Sequence, residues 1–265
     1  MMHGAKDWRD RESYAYTACF SLREWAWEFL RRNPDFIEDW KKARNEYGFY
    51  GQDGATTTFL AMTNNLSLRK WGCIYASNPE QDSRSASVFW CPDICLGVLR
   101  LKAELAKGGD GFTLHNIHSP SVVLELKDGG QHILFAHDGC WLQIAIEGAD
   151  ILKPGKFSLS LSQDRRTSQE TRRLLRCFDD LRFSGRIMSS HFQPTAHGRR
   201  LRFVLQALDG LLGGADQREI AVALIGKKRV EADWRHPIRS LPDRIRRTIS
   251  RGCFLMRGGY RRFLG

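Results

Sequence analysis

The sequence predicts an α+β chain, with a helical N-terminal domain, an antiparallel β-meander in the middle and an all-α C-terminal domain. Three observations carry this expectation. Apolar residues recur at helical spacing near both ends, as in Leu22, Trp25, Ala26, Phe29 and Leu30, and again in Leu201, Val204, Leu205, Leu208, Leu211 and Leu212. Between residues 112 and 161 the period drops to two. Asp128-Gly129-Gly130 then separates two of those runs, 121–127 and 131–135, which is a strong hairpin signal. Domain boundaries are expected at 1–65, 66–163 and 164–265.

Each element follows from local chemistry. Ser21 followed by Glu24 has the form of a capping box at the start of the first helix. Asn33-Pro34 ends that helix, and Pro34 suits the first position of a second, which runs towards Tyr47 with Phe36, Ile37 and Trp40 as its stripe. Residues 48–65 carry Gly48, Gly51, Gly54 and Asn64 and read as a loop or linker, as does the polar stretch 77–87. Runs at 141–146 and 157–161 continue the expected meander beyond the hairpin. After residue 164 helices are expected at 165–182, 198–212, 217–225, near 229–235 and at 242–256, with Gly213-Gly214 stopping the second of these.

Charge is distributed unevenly along this order. Residues 164–265 hold 23 Lys and Arg against 10 Asp and Glu, whereas the rest of the chain is close to neutral. A basic module on a near-neutral body is the electrostatic footprint of nucleic-acid binding. No apolar run approaches the length that spans a bilayer, and the first residues lack the apolar core of a signal peptide. A cytoplasmic, nucleoid-associated protein with no membrane partner is expected. Seven cysteines, an odd number without a framework spacing, are expected as reduced thiols.

Two segments of the basic module concentrate the DNA-binding chemistry. In 216–226, Asp216 and Glu219 have capping-box spacing, and Ile220, Ala221 and Leu224 are placed to pack inward. A standard helix-turn-helix has a glycine four residues after that small alanine; here Ile225 occupies the slot and Gly226 follows it. The expected motif is therefore a helix-turn-helix variant whose wide connection holds Trp234 and His236-Pro237. In 242–256, Arg244, Arg247 and Arg251 fall on one narrow stripe at about 100° per residue, with Ile245, Ile249, Cys253 and Met256 nearly opposite. Arginine pairs bidentately with guanine edges or with phosphate, so this stripe suits a helix laid in the major groove of double-stranded DNA. Arg246 shares that helix, and Lys227, Lys228, Arg229, Arg235 and Arg239 flank it as candidate phosphate contacts.

Other chemistries have weaker signatures. Cys91-x-x-x-Cys95 with His115 and His118 has only a loose resemblance to a zinc site, because no second Cys pair accompanies it. His137-Asp138 reads as a turn, since no nucleophile elbow goes with it. Tyr260 beside Arg261 and Arg262 lacks the remaining partners of a recombinase site. The aromatic strands and GXXG loop common in RNA binders are not evident. The chain is expected to be neither an enzyme nor a holder of metal or cofactor.

The residues also resemble a known family. Arg218-Glu-Ile-Ala221, Leu224-x-Gly226, Trp234-Arg235, Arg244-Ile-Arg-Arg247 and the terminal Gly258-Gly-Tyr-Arg-Arg-Phe-Leu264 resemble the RovC-type DNA-binding domain of proteobacterial regulators. Asp7-Trp-Arg-Asp10, Tyr14, Trp25-x-x-x-Phe29-Leu-Arg-Arg-Asn-Pro34 and Tyr47 resemble the small transcriptional regulator-like domain that often precedes it. Trp71-Gly72, Asn78-Pro79 and Phe89-Trp90 fit the same architecture. The resemblance implies regulation of type VI secretion, or of excision and transfer of integrative and conjugative elements as in FseA-like activators. It also implies self-association, and RNA polymerase or another regulator as protein partners. Relatives carrying the domain also act as antiactivators that bind another regulator, which is the alternative reading.

Overall fold

Seven strands form one mixed sheet, in the order β1 (Tyr47–Asp53), β2 (Thr56–Ala61), β6 (Ser121–Glu125), β7 (Gln131–His137), β8 (Cys140–Gly148), β5 (Val98–Leu105) and β9 (Gly155–Ser158). A separate pair, β3 (Cys73–Ala76) and β4 (Val88–Trp90), is antiparallel. The computed structural model describes residues 7–64, 66–106, 111–137, 140–159, 165–192, 194–234 and 241–265.

The sheet departs from a meander at both ends. β6, β7 and β8 pair antiparallel in chain order, and the Asp128 carboxylate accepts the Gly130 N–H at 3.0 Å to close the first hairpin. β9 does not continue that series; it pairs antiparallel with β5, which lies parallel to β8. At the other side, residues 48–65 are not a linker. They supply most of the β1–β2 hairpin, and β2 runs parallel to β6. The Thr56-Thr57-Thr58 triplet is β-branched and favours the pleated backbone despite the surrounding glycines.

Alternation places the two sheet faces in different cores. Leu99 and Leu101 of β5, Val123 of β6, Ile133 and Phe135 of β7, and Ile144 and Ile146 of β8 meet the buried stripe Leu174, Cys177, Phe178 and Leu181 of α3 (Arg165–Ser184). On the opposite face Leu124 and Leu134 pack with Ile74 and Phe89 of the small pair. Gln143, fully buried on β8, joins these layers: Trp90 N–H donates to its Oε1 at 2.9 Å and its Nε2 donates to Trp90 O at 2.8 Å. Gln143→Leu is expected to cost about 1–3 kcal/mol, because both Trp90 backbone groups lose their partner while buried. Urea unfolding followed by tryptophan fluorescence measures it.

Spatial units cut across the boundaries expected at 65 and 163. Pro34–Gln193 and Arg261–Gly265 make the sheet-bearing unit, while the segment through Asn33 joins Pro194–Tyr260 in a helical unit. The helical unit holds α1 (Leu22–Leu30), α4 (Gly198–Leu212), α5 (Gln217–Ile225), α6 (Lys227–Asp233) and α7 (Leu241–Met256); α2 (Pro34–Ala43) belongs to the sheet-bearing unit. Trp8 explains the pairing of distant segments, since it packs with Ala207, Ile220, Ala221 and Ile245 and its carbonyl accepts from the Gln206 amide at 3.0 Å. Two local expectations change. Ser21 caps α1 through its backbone only, its hydroxyl donating to the Glu24 carboxylate. Leu211 and Leu212 are exposed, because α4 buries Leu201, Val204, Leu205 and Leu208 and has turned its face by its last residues.

Buried charge anchors α1 to α4. Arg32, just beyond α1, donates through Nη1 to Glu28 Oε2 at 2.7 Å and through Nη2 to Asp209 Oδ2 at 2.9 Å, with a further bond from its Nε to Asp209. Tyr14 and Tyr16 hydroxyls complete the set, donating to Asp209 at 2.7 Å and to Glu28 at 2.8 Å. Burial opposes the Arg32 charge, but Asp209 and Glu28 outweigh it and hold the guanidinium protonated more firmly than an ordinary arginine. Burial and the Asp209 carboxylate likewise raise the Tyr14 phenol.

Candidate nucleic-acid interface

The arginine helix α7 is fastened along one side and open along the other. Leu241, Ile245, Gly252, Leu255 and Met256 are buried, spaced so that they share one face at 3.6 residues per turn. A Cβ on Gly252 would stand 3.0 Å from Leu208 Cβ and 3.2 Å from Val204 O, so α4 and α7 approach more closely than a larger residue allows. The Asn33 amide donates to Met256 O at 3.1 Å, and the Gln217 amide donates to Pro242 O, tying α7 at both ends within the helical unit.

The open side carries the expected arginines. Arg244, Arg246 and Arg247 are exposed, and Arg251 is half-buried with its guanidinium 5.4 Å from the Phe254 ring centre. Arg247 Nε donates to Asp243 O at 3.3 Å, while Arg246 leans away to pair with the Asp243 carboxylate at 2.8 Å. The packed side differs from expectation: Ile249 and Cys253 are only half-buried, and Leu255 is fully buried. The burial centre is rotated towards Gly252 and Leu255 because the glycine lets α4 come in there. Phe254 is consequently half exposed, beside a shallow groove lined by Ile249, Cys253, Arg257 and Gly258.

The preceding helices are joined more tightly than the sequence suggests. Asp216 accepts Glu219 N–H at 2.8 Å while Glu219 accepts Asp216 N–H at 2.9 Å, completing the expected capping box of α5. Gly226 alone separates α5 from α6, with φ 89°, a backbone that favours glycine. The helix directly after the turn is thus α6, with α7 third in line. Ile220 and Ala221 are fully buried between these helices, as is Val230 of α6.

α6 presents a second basic group. Lys227, Lys228 and Arg229 are exposed at its start, Lys227 lying 3.9 Å from Glu231 and Arg229 lying 3.7 Å from Asp233. Pairs this long, with the cation in solvent, are worth little and leave the Lys227 and Arg229 cations available to phosphate. Arg235 and Arg239, together with His236-Pro237, lie outside the described residues. Arg218 in the first turn of α5 and Arg257 at the end of α7 are also exposed, and were not among the candidates. Arg218 shares its helix with the capped turn that Gln217 holds against α7, and this proximity has no signature in the sequence.

The remaining chemical candidates take ordinary positions. Cys91 and Cys95 are buried, and burial pushes the Cys91 thiol up to about 11. Among the described residues no group of three or more His, Cys, Asp or Glu is placed to hold a metal ion. His118 is exposed, and Asp138 lies outside the described residues. Tyr260 is fully buried, which gives its ring a packing role. No described helix is long and apolar enough to cross a membrane.

Comparison with known families matches two segments of the chain. Residues 159–264 match the model described as a T6SS transcription factor, DNA-binding domain, of the RovC type. Residues 7–73 match a proteobacterial transcriptional regulator-like domain. No curated protein matches the chain. Neither matched segment coincides with a spatial unit, since 7–33 belongs to the helical unit and 34–73 to the sheet-bearing one. The C-terminal segment is thus similar to RovC-type DNA-binding domains and the N-terminal segment to proteobacterial transcriptional regulator-like domains, and the two matches together indicate a DNA-binding transcriptional regulator.

Proposed function

We propose that this protein is a sequence-specific regulator that reads double-stranded DNA with α7, and that it activates an operon for secretion or for mobile-element transfer and excision in the proteobacterial cytoplasm. One observation carries the reading: α7 is packed along its Leu241–Ile245–Leu255 side while Arg244 and Arg247 project into solvent. In this helix-turn-helix variant, α5 and α6 seat α7 in the major groove. Arg244, Arg247 and Arg251 address base edges; Arg246, Lys227, Lys228, Arg229, Arg235 and Arg239 address phosphates. The protein works without a catalytic step or cofactor, as a homo-oligomer whose symmetry matches repeated half-sites.

The experiment is titration of the purified protein against fragments of its own genomic neighbourhood and against random DNA, over a salt series. A preference of about a hundredfold or more for one fragment is expected, with affinity falling steeply as salt rises. Arg247→Ala and Arg251→Ala are each expected to cost about 1–3 kcal/mol on the preferred fragment and to relax base preference. Lys228→Ala should weaken binding evenly on all sequences and reduce the salt slope by about one. Equal losses on specific and random DNA from the arginine variants would remove base reading from α7.

A second reading has its own observation. The groove beside Phe254 gives α7 an exposed apolar patch among its arginines, which suits contact with another regulator or RNA polymerase. An antiactivator built on that patch would bind DNA weakly and without preference, and Phe254→Ser would abolish its capture of the regulator while leaving heparin retention intact.

A further inference from the structure

The helical unit carries a second cationic surface, on α4, that the reading of α7 does not use. Between Asp180 and Asp209 the chain contains no carboxylate, although it holds Arg182, Arg186, Arg199, Arg200 and Arg202. The last three of these open α4. That helix packs through Leu201, Val204, Leu205 and Leu208, and at about 100° per residue the arginines fan over the arc left free beside this stripe. Arg199 and Arg200 are exposed, and neither makes an ion pair or a side-chain hydrogen bond among the described residues. Arg202 Nε donates to Thr17 Oγ1 at 3.1 Å, a neutral partner that steadies the guanidinium without cancelling its charge.

This surface adjoins the arginine stripe of α7. Val204 lies one turn after Arg200, and Val204 O would stand 3.2 Å from a Cβ on Gly252, the residue that follows Arg251. One helical turn is about 5.4 Å, so Arg200 and Arg251 flank the same helix crossing. Guanidinium groups gathered without carboxylates repel one another, and a row of phosphates is the partner that offsets this. A duplex strand offers one phosphate for about every 3.4 Å of its axis, a density that a track of arginines across two helices can follow.

We propose that Arg199 and Arg200 grip the DNA phosphate backbone beyond the bases that α7 covers, with Arg202 adding to the field from its seat on Thr17. The inference rests on the reading of α7 as the helix in the groove. Phosphates are alike in every sequence, so the contribution of α4 is to affinity and register, while base choice stays with α7.

The test titrates the full chain and an Arg199→Gln/Arg200→Gln variant with specific and random DNA over a salt series. Circular dichroism and the thermal midpoint should be unchanged, since both side chains are exposed. Affinity is expected to fall about tenfold, in the same ratio on both DNAs, and the slope of log K against log salt to shrink by about two. On the shortest fragment that keeps sequence preference, variant and wild type should bind alike. Adding about ten base pairs, one turn of the duplex, should then tighten the wild type only. Lys41→Gln/Lys127→Gln removes the same charge from exposed positions of the sheet-bearing unit and should leave the slope nearly unchanged. An unchanged slope in the α4 variant, an equal loss in the lysine control, or an equal gain from flanking DNA in variant and wild type would each overturn the proposal. Arg247→Ala in the same series keeps the two failures apart. Reduced preference there with an unchanged α4 slope leaves the reading of α7 standing and removes the α4 contact. Preference that persists in Arg247→Ala overturns the reading of α7, and with it the placement of this track beyond that helix.

Discussion

Arg32→Ala is expected to destabilise the helical unit by about 3–5 kcal/mol, the penalty for breaking a buried ion pair by removing one partner. Arg32 retains 10% side-chain exposure, Asp209 19% and Glu28 none, so neither carboxylate recovers much hydration when the guanidinium is lost. Arg31 remains 2.9 Å from Glu28 and compensates that residue in part. Asp209 keeps only the Tyr14 hydroxyl among its bonds described above. Arg32→Lys retains the charge but loses the fork that reaches both carboxylates, and a smaller loss is expected. Guanidinium denaturation of the three proteins, followed by circular dichroism, measures the effect. Equal stability of wild type and Arg32→Ala would mean that the network is solvated and contributes nothing net. The effect should also appear in DNA binding at temperatures where the variant is partly unfolded, because α1 and α4, which Arg32 joins, are both packed in the unit that carries α7.

The legible parts of this fold are those whose information is local. The stripe Leu201, Val204, Leu205 and Leu208 repeats every three or four residues, and the structure has α4 over Gly198–Leu212. Asp216 and Glu219 lie three apart, and both reciprocal bonds of the capping box form. The β1–β2 hairpin escaped because its apolar residues do not alternate with burial: Phe49 and Tyr50 are adjacent and both are about two-thirds exposed. An edge strand with two wet faces has no period for a sequence to display. Strand order escaped for another reason. A period of two says that a strand has faces, but not which neighbour it takes, so the insertion of β5 between β8 and β9 is decided by long-range packing. Spatial partition behaves alike, since nothing near Trp8 announces that its ring completes a core built from residues 207–245.

The candidate site divides along the same line. The Arg244–Arg247–Arg251 stripe follows from helical geometry alone, and the structure leaves two of its members exposed and one half-buried. The side that packs was legible only approximately. Ile249 and Cys253 are apolar and correctly spaced, yet Gly252 settles the matter by admitting α4, and a glycine carries no hydrophobic signal.

Ile245→Ala separates what holds α7 from what α7 touches. Ile245 is 2% exposed and stands between Arg244 and Arg246, packed with Trp8, Ala221 and Leu241. Removing three buried carbons is expected to cost about 2–5 kcal/mol, from lost transfer energy and from a cavity the neighbouring helices close only in part. Thermal unfolding at fixed protein concentration measures that cost. No arginine is changed, so under conditions where the variant remains folded its preference between specific and random DNA should match wild type, with affinity reduced only by the folded fraction. Arg247→Ala should behave in the opposite way, with stability nearly unchanged and sequence preference reduced. If Ile245→Ala relaxes base preference while fully folded, the orientation of α7 depends on this single contact, and the buried side specifies the site together with the exposed one. If both variants leave preference intact, the reading surface is not α7, and the exposed Lys227-Lys228-Arg229 turn of α6 becomes the element to test.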